Sequence, residues 1–209
     1  MGGSGMRIVV RNLEKRFNAR RVLRNVNFEV SAGESLVITG PNGSGKTTLI
    51  KLIGGLLSPT RGAIEFYDLD RKVDPSSIYQ YIGLVGPYLQ LYNDLTAWEN
   101  LTFVARAREG RVNRERILKL LEWVGLRGRE HDPLKAYSSG MLQRVKYVAA
   151  LYHEPPVLLL DEPTANLDEA GKQWVYELME GYRQDRVLIL ATNEAEEVRF
   201  GTGRVDLAG

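Results

Sequence analysis

A short apolar run, Ser35 to Thr39, leads directly into Gly40-Pro41-Asn42-Gly43-Ser44-Gly45-Lys46-Thr47, and a stretch with helical spacing, Thr47 to Leu57, follows. The eight residues fit G-x-x-x-x-G-K-[ST], and the strand before and helix after are the context that spacing requires. Few folds place a glycine loop between a buried strand and a helix in this way. The glycines let backbone N–H groups turn inward around phosphate oxygens. The helix N-terminus adds partial positive charge at the same point. Lys46 can then bridge the β- and γ-phosphates, and the Thr47 hydroxyl can ligate Mg2+. The alternative is a glycine-rich turn that binds nothing; the flanking strand and helix weigh against it.

A second acidic site lies far along the chain. Val157-Leu158-Leu159-Leu160-Asp161-Glu162 reads as a buried strand ending in two acids. Asp161 can hold Mg2+ directly or through water, and Glu162 can act as general base on an attacking water. Alone, such a run often means only a strand entering a loop. Beside a phosphate loop it gains weight, because parallel sheets gather ligand groups at the carboxyl ends of their strands.

The rest of the pattern supports an α/β chain. Met6 to Val10, Val22 to Val30, Ala63 to Phe66 and Val187 to Ala191 read as strands, and Glu169 to Tyr182 as a helix. Strands alternating with helices predict a parallel sheet covered on both faces. The block from about 87 to 136 differs in character. Thr96-Ala97-Trp98-Glu99 is a capping box that should open a helix reaching about Arg108. A second helix follows Asn113, with Ile117, Leu118, Leu120, Leu121 and Val124 on one face and Gly125 as its stop. It reads as an inserted helical subdomain.

Two further motifs lie in order along the chain: Tyr137-Ser138-Ser139-Gly140-Met141-Leu142-Gln143-Arg144, and Pro163-Thr164-Ala165-Asn166-Leu167-Asp168 after the acid pair. With them the sequence resembles the nucleotide-binding subunits of ABC transporters, over nearly the whole length from Met6. The resemblance implies a P-loop NTPase core with a mostly parallel sheet, an N-terminal antiparallel β subdomain and the inserted helices, all in one domain, 6–209. It implies ATP and Mg2+ as cofactors. Lys46 and Glu162 are then catalytic. Phosphate and nucleotide fall to Gly40, Pro41, Asn42, Gly43, Ser44, Gly45, Thr47 and Thr48, with Phe17 stacked on adenine. Ser138, Ser139, Gly140 and Asp168 belong to the same set but face ATP bound by a second ATPase subunit. Ser138 also reads as the cap of a helix running through Val145 and Val148, which with the Gly140 N–H makes an anion site. A membrane-spanning permease is the other implied partner. The surface near Tyr79, Tyr81, Tyr88, Tyr92 and Trp98 is where the family receives it, although part of that aromatic segment reads as core.

Three departures from the family pattern stand out. The signature has Tyr137, Ser139 and Met141 where Leu-Ser-Gly-Gly-Gln is common, a form similar to that of many exporters. Where the family has a loop glutamine that links Mg2+ and water to the permease contact, this chain has Pro87, which has neither a polar side chain nor an N–H. Gln90 can replace it as a metal-side ligand or be a surface residue. At the switch histidine stands Asn193, which keeps an amide donor but cannot become positive. It can sense the γ-phosphate, cap the following helix, Glu194 to Phe200, or do both.

Composition excludes other chemistries. There is no cysteine and there are two histidines among 209 residues, so thiolate sites, disulfides and multi-histidine metal sites are ruled out. His131 reads as solvated, His153 as a helix end, and the basic stretch Arg106 to Arg116 as a solvated face. The 28 basic and 26 acidic residues are too evenly balanced to predict a nucleic-acid partner. No apolar run has membrane-spanning length. Met1 to Gly5 looks like an expression scar, so a cytoplasmic protein held at the inner membrane face by its permease is expected. Export is favoured over import by the signature and by a short chain without an added C-terminal domain. Alternatives are a haem or cytochrome-maturation exporter ATPase, a soluble ABC-type ATPase without transport, and a slow ATP-binding switch.

Overall fold

The computed structural model describes residues 5–207, so Met1 to Ser4 of the presumed scar lie outside it. The chain opens with an antiparallel hairpin, β1 (Met6–Phe17) and β2 (Arg20–Ser31). The strand expected to end at Val10 runs on past Arg11 and Asn12. The ladder shifts register and resumes at Leu13, with Asn12 in a left-handed conformation at φ 47. This bulge bends the strand and lets it continue to Phe17. β4 (Arg61–Asp68) pairs with β1, and a two-residue strand, β5 (Arg71–Lys72), forms the edge, giving the order β2-β1-β4-β5.

The second sheet is parallel at every pairing. β3 (Ser35–Thr39), β6 (Ile82–Val85), β7 (Val157–Asp161), β8 (Val187–Ala191) and β9 (Gly203–Asp206) are ordered β6-β7-β8-β3-β9. β3, β7 and β8 are buried along their whole length, which is why they read as continuous apolar runs. β6 and β9 carried no such signal. Each is four residues long and contains a glycine, and β9 is an edge strand with three exposed positions. In β6, Gly83 is needed for close packing, since a Cβ there would lie 2.6 Å from the Ala150 carbonyl oxygen.

Alternate residues of β7 show how the layers are built. Val157 and Leu159 pack with the antiparallel sheet and with α1 (Lys46–Ile53). Leu158 and Leu160 pack with α4 (Ser139–Leu151) and α5 (Glu169–Tyr182). The parallel sheet is therefore covered on both faces, as the strand–helix alternation predicts. α1 stops before the expected Leu57, because Gly54 caps it and Gly55 turns left-handed at φ 72.

A third core unites α2 (Ala97–Glu109) and α3 (Arg114–Trp123) with one face of α4, through Val145, Val148 and Tyr152 just beyond its end. The helical block thus shares α4 with the sheet layer. The capping box is present in full: Thr96 Oγ1 accepts from the Glu99 N–H at 3.1 Å, and Glu99 Oε2 accepts from the Thr96 N–H at 2.8 Å. Arg108 corrects the reading of a solvated basic face. It is half-buried and donates to the carbonyls of Tyr79 and Ile82, tying α2 to the start of β6. No helix among the described residues is long and apolar enough to cross a membrane.

Candidate functional site

Asp161 pairs with Ala191, and Ala191 pairs with Ile38. The carboxyl ends of β7, β8 and β3 therefore lie side by side, and their loops converge at one edge of the sheet. This is where open α/β sheets collect ligands.

The phosphate loop leaves β3 at Gly40 and enters α1 after Gly45, both with positive φ of 142 and 108. At Gly40 a Cβ would lie 2.7 Å from Ser44 Oγ, which is buried beneath the loop without a hydrogen-bond partner. Lys46 is buried and its ammonium donates to the carbonyls of Gly40 at 2.7 Å and Pro41 at 3.1 Å. Asn42, Gly43, Gly45, Lys46, Thr47 and Thr48 line a cavity of about 290 Å3, joined by Arg20 and Val22 from the hairpin and by Glu162. Phe17 stands exposed at the hairpin end, with the Lys15 ammonium 5.0 Å from its ring centroid.

Asp161 is 1% exposed, and neither carboxylate oxygen makes a well-formed hydrogen bond. Burial pushes its pKa up, while the nearby Thr47 hydroxyl pulls the other way. A sealed carboxylate beside a hydroxyl is an oxygen donor set suited to a hard cation. Mg2+ takes one or two protein oxygens and completes its shell with phosphate and water.

Glu162 begins the next loop at φ 52, left-handed for a non-glycine residue, with its N–H bonded to the Ala191 carbonyl at 2.9 Å. The turn exposes its side chain. Glu162 lines the phosphate-loop cavity and also a second one with Thr164, Asn166, Thr192, Asn193 and Glu197. It is the residue the two cavities share.

Asn193 does not cap α6 (Ala195–Val198). That helix is only one turn long, its N-cap is Glu194, and no side chain caps it. Instead Asn193 Nδ2 donates to Asn42 Oδ1 at 2.7 Å, bridging the loop after β8 to the phosphate loop. Beneath it, Glu197 is a functional candidate the sequence reading missed. It is 1% exposed, accepts from Thr164 Oγ1 at 2.5 Å, and has its pKa raised by burial. An acid in a short polar helix looks solvated by periodicity alone.

Ser138 caps α4, accepting from the Met141 N–H at 3.3 Å. Gly140 lies against the next loop: a Cβ there would be 3.3 Å from the Asn166 carbonyl oxygen. Asp168 caps α5 through the Gly171 N–H at 2.8 Å and pairs with Arg144 at 3.3 Å. Ser139 lines a third cavity with Pro87, Gln90, Gln143 and Asn166, apart from the phosphate loop. Gln90 is exposed in that cavity and does not line the one around Thr47. In the same loop, burial and then the charge of Asp161 raise the pKa of Tyr88. His131 is exposed. His153 lies just past α4, within 3.2 Å of the Ile82 carbonyl oxygen.

A family model described as ABC transporter matches residues 23–165. YdbJ of Bacillus subtilis (strain 168), an uncharacterized ABC transporter ATP-binding protein, is 35% identical over 193 residues, covering 92% of this chain and 60% of YdbJ. The lantibiotic transport ATP-binding protein SrtF of Streptococcus pyogenes is 34% identical over 184 residues, covering 88% of this chain and 78% of SrtF. The ATP-binding cassette MJ0796, solved as a dimer in a post-hydrolysis state with ADP and Pi, superposes with a TM-score of 0.84 at 29% identity over 96% of this chain and 94% of that one. The chain spans about three-fifths of the length of the first of these relatives.

Proposed function

This chain belongs to the ABC transporter family, and from that membership we propose that it binds and hydrolyses Mg-ATP and drives a separate membrane permease. The observation that carries the reading is Glu162, standing where the phosphate-loop cavity meets the cavity under Asn193. Lys46, released from the Gly40 and Pro41 carbonyls, bridges the β- and γ-phosphates. The loop N–H groups and Thr48 complete the cradle, and Phe17 stacks on the base. Thr47 and Asp161 would hold Mg2+, which would neutralise charge on the phosphates. Glu162 takes a proton from water as its oxygen attacks the γ-phosphorus and the bond to the β-phosphate oxygen breaks. Asn193 donates its amide to the γ-phosphate in place of Asn42.

Ser138, Ser139, Gly140 and Asp168 act on the ATP of a second ATPase subunit. Ser139 lines a cavity apart from the chain's own phosphate loop, which supports that role. The single ATPase domain then runs over 6–209, with the helical block at about 87–136 facing the permease at the inner membrane face. The name of SrtF supports transport of a lantibiotic-like molecule.

A slower switch-like ATPase is the second reading. It is favoured by the Asn193–Asn42 bridge, which occupies the γ-phosphate donor within the chain. Steady-state Mg-ATP hydrolysis at several protein concentrations separates the two, with Glu162→Gln as control. Turnover per subunit that rises with concentration and vanishes in the control supports the dimeric ATPase. ATP binding with turnover equal to the control overturns it in favour of the switch.

A further inference from the structure

Tyr88 follows Pro87 in the loop after β6. Its ring folds back over Gly86, close enough that a Cβ there would lie 3.0 Å from both Cε1 and Cζ. On α1, Lys51 sets its ammonium 4.0 Å from the ring centroid. The phenol is thus held from two directions. Its hydroxyl is sealed from solvent and has no hydrogen-bond partner.

Buried hydroxyls nearly always find a partner, and this one is left free to bond to a group that enters beside Asp161. Val85, three residues before Tyr88, pairs with Leu160, so the loop that carries Tyr88 leaves the sheet beside Asp161, and burial keeps this phenol in its protonated form. Asp161 is itself buried with both oxygens lacking well-formed hydrogen bonds. Lys51 and Lys46 act on the same carboxylate. Once ionised, as beside a cation, the carboxylate only accepts, and the phenol can donate and accept. Together they suit a small species carrying both charge and hydrogen atoms, which a hydrated divalent cation does.

We propose that Tyr88 is a positioning residue for the cation–nucleotide complex, its hydroxyl hydrogen-bonded to a water carried by the divalent cation at Asp161. Pro87 has no polar side chain for this task, and Gln90 faces another cavity. The neighbouring tyrosine supplies the missing oxygen. The inference rests on the Mg-ATP reading above.

The test is titration calorimetry of the purified chain with a non-hydrolysable ATP analogue, once with Mg2+ and once with EDTA. Tyr88→Phe keeps the ring and its contact with Lys51 and removes only the hydroxyl. The expected result is about tenfold weaker binding with Mg2+, the worth of one hydrogen bond in a charged site, with affinity in EDTA unchanged. The thermal midpoint of the free variant should equal or exceed that of the parent, because an unpaired buried hydroxyl is gone. Equal affinity of parent and variant in Mg2+ overturns the inference. So does an equal loss in both conditions, which would mark a structural or nucleotide contact. A parent that binds the analogue with no Mg2+ dependence overturns it while leaving nucleotide binding intact. A parent that binds in neither condition sinks the Mg-ATP reading as well.

Discussion

The side chains around the sheet edge owe their states to what burial denies them. Asp161 and Glu197 are both pushed towards their neutral forms by desolvation, and each has a hydroxyl, from Thr47 and Thr164, that favours the charge. Glu162 turns out of β7 into an exposed position at φ 52, a conformation that costs a non-glycine residue about 1–2 kcal/mol. His153 behaves in the opposite sense to the acids. Burial, then the charge of Arg108, lower its pKa from 6.5 to about 4. A depressed pKa means that the unfolded chain binds the proton more tightly, so this histidine's contribution is complete above pH 6.5 and is lost as pH falls through 4. Denaturant midpoints of the parent and His153→Gln should therefore diverge least at low pH and most above pH 6.5, since every other acid titrates alike in both. Parallel curves would show that His153 carries no such linkage.

At the scale of elements, local chemistry sets the ends of the helices. Thr96, Asn113, Ser138 and Asp168 each accept from a backbone N–H of the first turn that would otherwise be unpaired. Gly110 closes α2 in the left-handed region at φ 69. The capping box is worth most where tertiary cover is thinnest, and α2 exposes much of its surface. Thr96→Ala should lower the unfolding free energy by about 1 kcal/mol. For a chain of this size that is a drop of about 2–4 °C in thermal midpoint. Calorimetry of the two proteins checks this, and an unchanged midpoint would mean that packing of Leu101 and Ala105 alone holds the helix.

For the whole molecule, the central sheet separates two cores that meet only through its strands. Leu159 belongs to the core with α1 and the antiparallel sheet, and Leu158 to the core with α4 and α5. Both are fully buried. Leu159→Ala should cost about 2–5 kcal/mol, from lost transfer energy and the cavity left behind. Urea unfolding should show a lower midpoint with an unchanged slope, which is the mark of lost stability without a change in the surface exposed. The same sandwich brings Asn42, Asp161 and Asn193 to one edge although Asn42 lies more than a hundred residues from the other two along the chain.

Sequence alone determined the elements whose signals are local. The phosphate loop, the apolar runs of β3, β7 and β8, the capping box and the span of α5 follow from glycine placement, hydrogen-bonding side chains and periodicity within a few residues. Candidate site residues were legible where a motif carries them, as at Lys46, Asp161 and Glu162. Tertiary structure decided what depends on distant neighbours. β6 and β9 are strands because longer strands pair with them, not because of their own patterns. Arg108 is half-buried because the carbonyls of Tyr79 and Ile82 lie beside it. Asn193 bonds to Asn42 rather than capping α6 because two loops converge there. Tyr88 folds its ring back over Gly86, while Gln90 lines a cavity with Ser139. Burial and pairing between remote segments are properties of the packed chain, and residue spacing does not encode them.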